Sequence, residues 1–340
     1  MTTIYMAADD TLLCVREKGG RWQVERQLEG RRPRCVAIDP LRPERVWCGT
    51  AGSGLWRSLD GGASWRSASA RLATASVSAV AVSPNERAGA DGVVYAGTDP
   101  SALFRSDDGG LTWEALPGML ALPSAPSWSF PPRPETSHVR WIALDPWEAG
   151  TLYVCIEAGA LVRSRDGGHT WDDRVPDGPR DTHTLAVHPR APGRLYSAAG
   201  DGFSLPGHGY NESRDRGDTW THPGQGIERH YLYGLAVDPG DPDTILVSAA
   251  TSPRTAHDPA AADATIYRRS GDGPWQEARE GLPETNGSLR AFLAANPVQP
   301  GTFYAGNNRG LFRSADAGIT WERIPTPIPV TADHAIAVSI

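Results

Sequence analysis

Short apolar runs separated by clusters of turn residues recur from one end of the chain to the other. One kind of run ends in a turn dipeptide: Val36-Ala37-Ile38 before Asp39-Pro40, Val80-Ala81-Val82 before Ser83-Pro84, Ile142-Ala143-Leu144 before Asp145-Pro146. It returns as Leu185-Ala186-Val187 before His188-Pro189, Leu235-Ala236-Val237 before Asp238-Pro239, and Leu293-Ala294-Ala295 before Asn296-Pro297. A second kind reads Val46-Trp47-Cys48-Gly49-Thr50, Val94-Tyr95-Ala96-Gly97-Thr98 or Phe303-Tyr304-Ala305-Gly306-Asn307. Runs this short, rich in β-branched and aromatic residues and bounded by Gly, Pro and Asp, predict strands.

After each such pair comes the pattern Ser-x-Asp-x-Gly-x-Thr-Trp, clearest in Ser164, Asp166, Gly168, Thr170 and Trp171. It recurs around Asp60, Asp108, Asp215 and Asp316, in a shortened form around Asp272, and in an eroded form at Gly19-Gly20-Arg21-Trp22. A hairpin explains the residue types. The carboxylate accepts hydrogen bonds from the turn it opens, Gly supplies the positive φ, and Trp offers a large ring to pack between sheets. Six such aspartates cannot share one active site, so Asp60, Asp108, Asp166, Asp215, Asp272 and Asp316 are read as structural. Each repeat is then four strands, A to D, with Asp-Pro at the A–B turn and the Asp motif at the C–D turn. Trp-to-Trp spacings of 43, 48, 58, 49, 55 and 46 residues fit one four-stranded blade per repeat. The chain starts on a B-like strand, Ile4 to Ala8, and ends on an A-like one, His334 to Ile340. The expectation is therefore an all-β, seven-bladed propeller occupying residues 1–340 as a single domain, its ring closed by 334–340 pairing with the blade of residues 3–27. Closure removes open sheet edges. A small residue in every A strand (Ala37, Ala81, Ala143, Ala186, Ala236, Ala294, Ala337) suits crowding at the axis.

The motif resembles the Asp-box, or BNR repeat, of sialidases, sortilin-type receptors, xyloglucanases and photosystem II assembly factors. That resemblance implies the propeller fold and no particular reaction. Sialidases of this class have six blades and an early Arg-Ile-Pro segment. The one such tripeptide here, Arg323-Ile324-Pro325, follows the last Asp-box, so the chain does not match them and no catalytic residue carries over.

Composition narrows the partners. A net charge of −7 and a pI near 5.7 argue against nucleic acid and anionic membranes. No apolar stretch reaches membrane-span length, and Met1 to Met6 lacks the features of an export signal, so a cytoplasmic location is expected. Cys14, Cys35, Cys48 and Cys155 lie inside strand-like runs without C-x-x-C spacing. They read as buried free thiols, with a Cys35–Cys48 bridge as the alternative.

In a meander of four strands the A–B and C–D turns share one face, and the opposite, upper face is free to vary. The insertions fall there: 116–137, a Pro-rich loop carrying Trp128 and Phe130, then 199–208 and 250–264, on consecutive blades. Insertions gathered on one face mark a binding side. At the upper ends of the A strands stand Arg34, Ser78, Arg140, His183, Tyr233, Ala291 and His334, with His138, Arg229, His230 and Arg290 nearby. His208 and His257 sit in the loops above. Three readings of this set remain open. His138, His183, His230 and His334 converge on a divalent metal ion. Alternatively Arg34, Arg140 and Arg290, with Tyr233, His183, His334 and Trp128, grip an anionic or carbohydrate-like ligand. In the third they are solvated or mutually paired polar groups. Whether the protein is an enzyme stays undecided. Glycoside hydrolysis or a metal-dependent lyase reaction would draw its carboxylates from Asp181, Glu228 and Asp333. The competing class is a non-catalytic platform for a protein partner on the upper face. Gly49 to Gly54 is a tight loop with no helix after it, not a phosphate cradle.

Overall fold

Seven small antiparallel sheets account for nearly all regular structure in the computed structural model, which describes residues 2–70, 72, 75–88, 91–327, 331 and 333–339. Blade I joins Ala335–Ser339 to Thr3–Ala7, Leu12–Lys18 and Arg21–Gln27. Blade II holds Pro33–Asp39, Arg42–Thr50, Leu55–Ser58 and Arg66–Ser67, and blade III holds Val77–Ala88, Asp91–Thr98, Leu103–Ser106 and Glu114–Ala115. Blades IV (Val139–Leu144, Leu152–Ile156, Ala160–Ser164) and V (Thr182–Val187, Leu195–Ala199, Tyr210–Ser213) have their outer strand reduced to single bridges, Arg163 to Asp172 and Glu212 to Thr221. Blade VI comprises Tyr231–Asp238, Asp241–Ala250, Ala264–Ser270 and Gln276–Ala278. Blade VII comprises Phe292–Ala295, Phe303–Asn307, Gly310–Ser314 and Glu322–Arg323. The arrangement is the expected seven-bladed β-propeller. Ala335–Ser339 pairs with Thr3–Ala7, Thr3 facing Ser339 and Ala7 facing Ala335. It also lies beside the first strands of blades VII and II. Ile340, in the expected strand, lies outside the described residues.

The two turn types are built as the residues require. Before each turn Pro a buried polar side chain accepts from the backbone just ahead. Asp39 Oδ1 takes the N–H groups of Leu41 and Arg42, Asp145 those of Trp147 and Glu148, and Asn296 those of Val298 and Gln299. In blade V a histidine does the same work: His188 Nδ1 accepts from Arg190 N–H at 3.2 Å while Nε2 donates to Asp238 O at 2.7 Å. Burial lowers the His188 pKa, which suits this neutral role.

At the opposite turn Asp166 Oδ1 accepts from Ser164 Oγ (2.9 Å) and Thr170 N–H (2.8 Å), and Oδ2 from Thr170 Oγ1 (2.6 Å). Asp60, Asp108, Asp215 and Asp316 repeat the network. The residue after the Asp takes positive φ, 75° at Gly167 but also 60° at Arg216 and 62° at Ala317. Asp272 departs from the expectation for its copy. Its carboxylate makes none of these bonds, and Trp275 Nε1 donates instead to Pro223 O, 2.8 Å away at the end of blade V.

Four C–D turns are also handles for the preceding blade. Tyr5 donates to Gly61 O (2.9 Å), Trp47 and Arg57 to Gly109 O (3.2 and 3.0 Å), Arg163 to Arg216 O and Arg268 to Ala317 O (both 2.6 Å). Apolar packing follows the same seams. Trp47 and Leu55 of blade II meet Val94, Phe104 and Trp113 of blade III, and equivalent clusters lie between the other blades. All four cysteines are free; Cys14, Cys48 and Cys155 are buried, so the Cys35–Cys48 bridge is not formed.

Candidate functional site

Because both tight turns of every blade lie on one face, the first strands begin on the other. There they surround a cavity of about 670 Å³. Arg34, Ser78, Arg140, Tyr233 and His334, each from the start of a different first strand, line it beside Arg290 and His138. The loops add Arg32, Asp99, Glu157 and His257, and the 116–137 insertion contributes Phe130 and Arg133.

Tyr233 organises the floor. Arg290 and Arg140 place their guanidinium carbons 4.5 and 5.0 Å from its ring centroid, and the His183 ring stacks on it at 4.4 Å. Cation–π contact holds two like charges close together here. Five guanidiniums line the cavity against two carboxylates, and both carboxylates are engaged. Asp99 pairs with Arg133 at 2.7 Å. Glu157 Oε2 lies 2.8 Å from His138 Nε2 and 3.6 Å from Arg140 Nε. Burial opposes the Glu157 charge, but the His138 hydrogen bond and the neighbouring Arg140 outweigh it and hold its pKa below the usual carboxylate range.

Among the described residues Arg34 and Arg290 hydrogen-bond only to neutral acceptors. Arg34 Nη1 lies 2.9 Å from His334 Nε2, and Arg290 Nη2 donates to the Asp333 carbonyl at 3.1 Å. Burial, then Arg34, pushes the His334 pKa to about 3, so the ring is a neutral acceptor. Burial and Arg32 lower the pKa of Arg34 itself. Among the described residues Arg140 Nε, Arg290 Nε and His138 Nδ1 are buried without a hydrogen-bond partner, Arg140 Nε having only the longer ion-pair contact to Glu157. Buried donors left open in this way carry a penalty that a bound acceptor removes.

The residues singled out from sequence divide into two groups. Arg34, Arg140, Tyr233, Arg290 and His334 come together around the cavity. Trp128 does not: it is 7% exposed, donates its indole N–H to Ser124 Oγ at 2.9 Å, and packs in the core between blades III and IV. Glu228 is exposed and lines neither this cavity nor its neighbour. Asp333 is half-buried beside Arg290, with its carboxyl pKa raised by burial. Asp181 instead lines the adjoining cavity of about 510 Å³, together with Glu157, Tyr231 and His257.

The four histidines expected to share a metal do not converge. His138 bonds Glu157, His334 faces Arg34, His183 is fully buried under Tyr233, and His230 lines neither cavity. Among the described residues one group of three His, Cys, Asp or Glu side chains brings its ligand atoms within 4.8 Å, namely Glu157, Asp181 and His183. The His222 ring lies 3.8 Å from His208 of the 199–208 insertion. Glu157 was missed by the sequence reading, although the repeat position at the upper end of the second strand, four residues beyond Tyr5, Trp47, Tyr95, Tyr153, Tyr196, Leu246 and Tyr304, is acidic in three blades (Asp9, Asp99, Glu157) and Ala51, Gly200, Ala250 and Asn308 in the other four.

Comparison with known proteins is consistent with this architecture. Residues 104–115 match the BNR/Asp-box repeat model. No curated protein matches the sequence. Among solved structures the chain is similar to a GH74 enzyme from Niastella koreensis, with 17% identity over 94% of this chain and 52% of that one and a TM-score of 0.69. It is similar to an ancestral GH74 enzyme (17% identity, 94% and 40% coverage, TM-score 0.65) and to YCF48 bound to D1 peptide (17% identity, 86% and 80%, TM-score 0.57). The chain spans about half the length of the two GH74 structures or less.

Proposed function

We propose that this chain, a β-propeller built on BNR/Asp-box repeats, binds a small anionic, carbohydrate-like ligand in its upper funnel. The observation that carries the reading is the charge imbalance there. Among the described residues five arginines face two already engaged carboxylates in a cavity of about 670 Å³, and two guanidiniums keep buried Nε atoms without hydrogen-bond partners. A planar guanidinium pair flanking an aromatic ring suits a carboxylate on a sugar-sized body. The GH74 structures lend support to a carbohydrate ligand only as neighbours in fold. A hydrolytic or lyase step on such a ligand would draw on Glu157 and Asp181 rather than on Glu228. Four unpaired thiols favour a reducing, cytoplasmic setting.

A second reading, a non-catalytic platform for a protein partner, draws on the Phe130, Pro131 and Pro132 lip of the adjoining cavity. Calorimetric titration separates the two. Glucuronic, galacturonic, N-acetylneuraminic and sulfated sugars should bind saturably, and neutral glucose should not. Arg140→Ala and Arg290→Ala should each weaken binding at least about 10-fold, the loss of one charge-assisted contact. Failure of every acidic sugar to bind would remove this reading in favour of the platform.

A further inference from the structure

We infer that Glu157, Asp181 and His183 form a binding site for one first-row divalent cation of the zinc type. His183 lies on the first strand of blade V and is wholly buried. Its Nδ1 is 2.7 Å from the Leu232 carbonyl. A carbonyl only accepts, so Nδ1 carries the hydrogen, and a neutral ring presents a bare lone pair at Nε2. That nitrogen faces Glu157 Oε1 and Asp181 Oδ1, each at 3.7 Å. Two carboxylates and a lone pair thus converge on one point. The Tyr231 hydroxyl, 3.3 Å from Nε2, is the one neutral donor beside it, and it also lies 3.2 Å from His257 Nε2 with a single hydrogen to give.

The spacing suits a metal. Ligand bonds of about 2.1 Å around a tetrahedral centre put donor atoms about 3.4 Å apart. His183 Nε2 is 3.7 Å from each carboxylate oxygen and all three ligand atoms lie within 4.8 Å of one another, so a small inward shift of the two carboxylates closes the site. One imidazole with two carboxylates favours zinc over the all-oxygen shells of calcium or magnesium.

The supporting contacts are those a metal site needs. Leu232 fixes the imidazole tautomer, and His138 at 2.8 Å holds the other Glu157 oxygen. The Ala158 N–H donates to Asp181 Oδ1 at 2.8 Å. Asp201 Oδ2 accepts the Asp181 N–H at 2.9 Å and holds that backbone in place, and Arg140 lies 3.6 Å from Glu157. Gly200 keeps the space open: a Cβ there would sit 2.0 Å from Asp181 Oδ2 and 2.9 Å from His183 Cε1. Glu157 and Asp181 line the 510 Å³ cavity, which gives the ion an entry path, and Glu157 also borders the arginine-lined funnel. The site stands on its own geometry, whether or not an acidic sugar binds next to it.

The rival arrangement is a protonated His183 bridging the two carboxylates. Chelator-treated full-length protein, titrated calorimetrically with zinc chloride in carboxylate-free buffer and then dialysed for metal analysis, decides between them. The expected result is one ion per chain. Asp181→Asn, nearly isosteric, should weaken uptake at least about 10-fold, as should Gly200→Ala, which retains all three donors. Exposed Glu114→Gln should leave uptake unchanged, and circular dichroism melts establish that each variant is folded. No saturable uptake by the parent protein overturns the inference, as does uptake that Asp181→Asn leaves unaltered. Because no sugar is present, this outcome is independent of the anion-binding test.

Discussion

Arg34→Met should move binding and stability in different directions, which makes it the sharpest test of the anion site. Arg34 is half-buried, its Nη1 is spent on a neutral His334, and burial together with Arg32 lowers its pKa. A guanidinium stays ionised at neutral pH, and among the described residues no carboxylate is in ion-pair contact with it, Asp9 and Asp99 acting only from a distance. Exchanging a buried ion for an apolar side chain of similar volume is neutral or stabilising by about 1–4 kcal/mol. Partial exposure places Arg34 at the low end, and the lost bond to His334 subtracts roughly 0.5–1 kcal/mol. The net expectation is a stability unchanged or raised by up to about 1 kcal/mol. A charge-assisted contact to a bound acid contributes about 1.5–3 kcal/mol, so affinity for glucuronic or galacturonic acid should fall roughly 10- to 100-fold. Urea denaturation reads the first quantity and calorimetry at low salt the second. A variant that loses more than about 2 kcal/mol while binding acidic sugars as well as the parent would show that Arg34 serves the fold, and the reasoning would fail.

Other expectations concern the scaffold. Glu212 is 3% exposed and accepts from Arg194 (2.9 Å), Arg214 (3.0 Å) and Arg269 (2.8 Å), so Glu212→Ala strands buried guanidiniums and should cost about 3–5 kcal/mol in urea denaturation. A loss below about 1 kcal/mol would contradict this. Trp128→Ala should cost about 3–5 kcal/mol as a core truncation yet leave acidic-sugar affinity unchanged in the folded fraction; weakened binding would return Trp128 to the site. Stability should also depend on pH in two windows. Hydrogen bonds from Ser64 and Thr170 hold Asp60 and Asp166 at about 2 against 3.8, so the folded state binds fewer protons and their contribution, complete above about pH 4, is lost as pH falls towards 2. His334, at about 3 against 6.5, takes its proton first in the unfolded chain, so stability declines from about pH 6.5 towards 3. His334→Gln should flatten that upper segment in denaturation series; an unchanged slope would argue against the buried neutral ring.

The fold was legible because the same local chemistry is repeated. An Asp that caps its own turn, a Gly at positive φ and a Trp for the seam recur at near-constant spacing, and each copy constrains the others. Where the local chemistry is thin the reading loosened: the outer strands of blades IV and V shrink to one bridge each, and the Asp272 copy, short by two residues, lost its network. Repeat register also carried Arg34, Arg140, Tyr233 and His334 to the cavity correctly. It could not say that His183, in the same register, lies beneath the Tyr233 ring of the next blade, because that stacking at 4.4 Å depends on one neighbour only. Trp128 sits in an insertion that no other repeat shares, so nothing along the chain tells that its ring tucks against Gly159, where a Cβ would come within 3.1 Å of it.

That contrast locates the chemistry. The lower face is made of positions that look alike in every blade, and such positions report the fold. Function belongs with positions that share a register but differ in kind, and the residue at the upper end of the second strand is the clearest of them. Blade IV places Glu157 there, and blade V places Gly200. The carboxylate of one reaches His183, while the missing side chain of the other lets Asp181 approach the same nitrogen, each oxygen stopping at 3.7 Å. An alanine at position 200 would be unremarkable in any single repeat. Against Glu157 in the preceding blade it would close the one place where two carboxylates and an imidazole meet, so Gly200→Ala probes the site through space rather than through a donor atom.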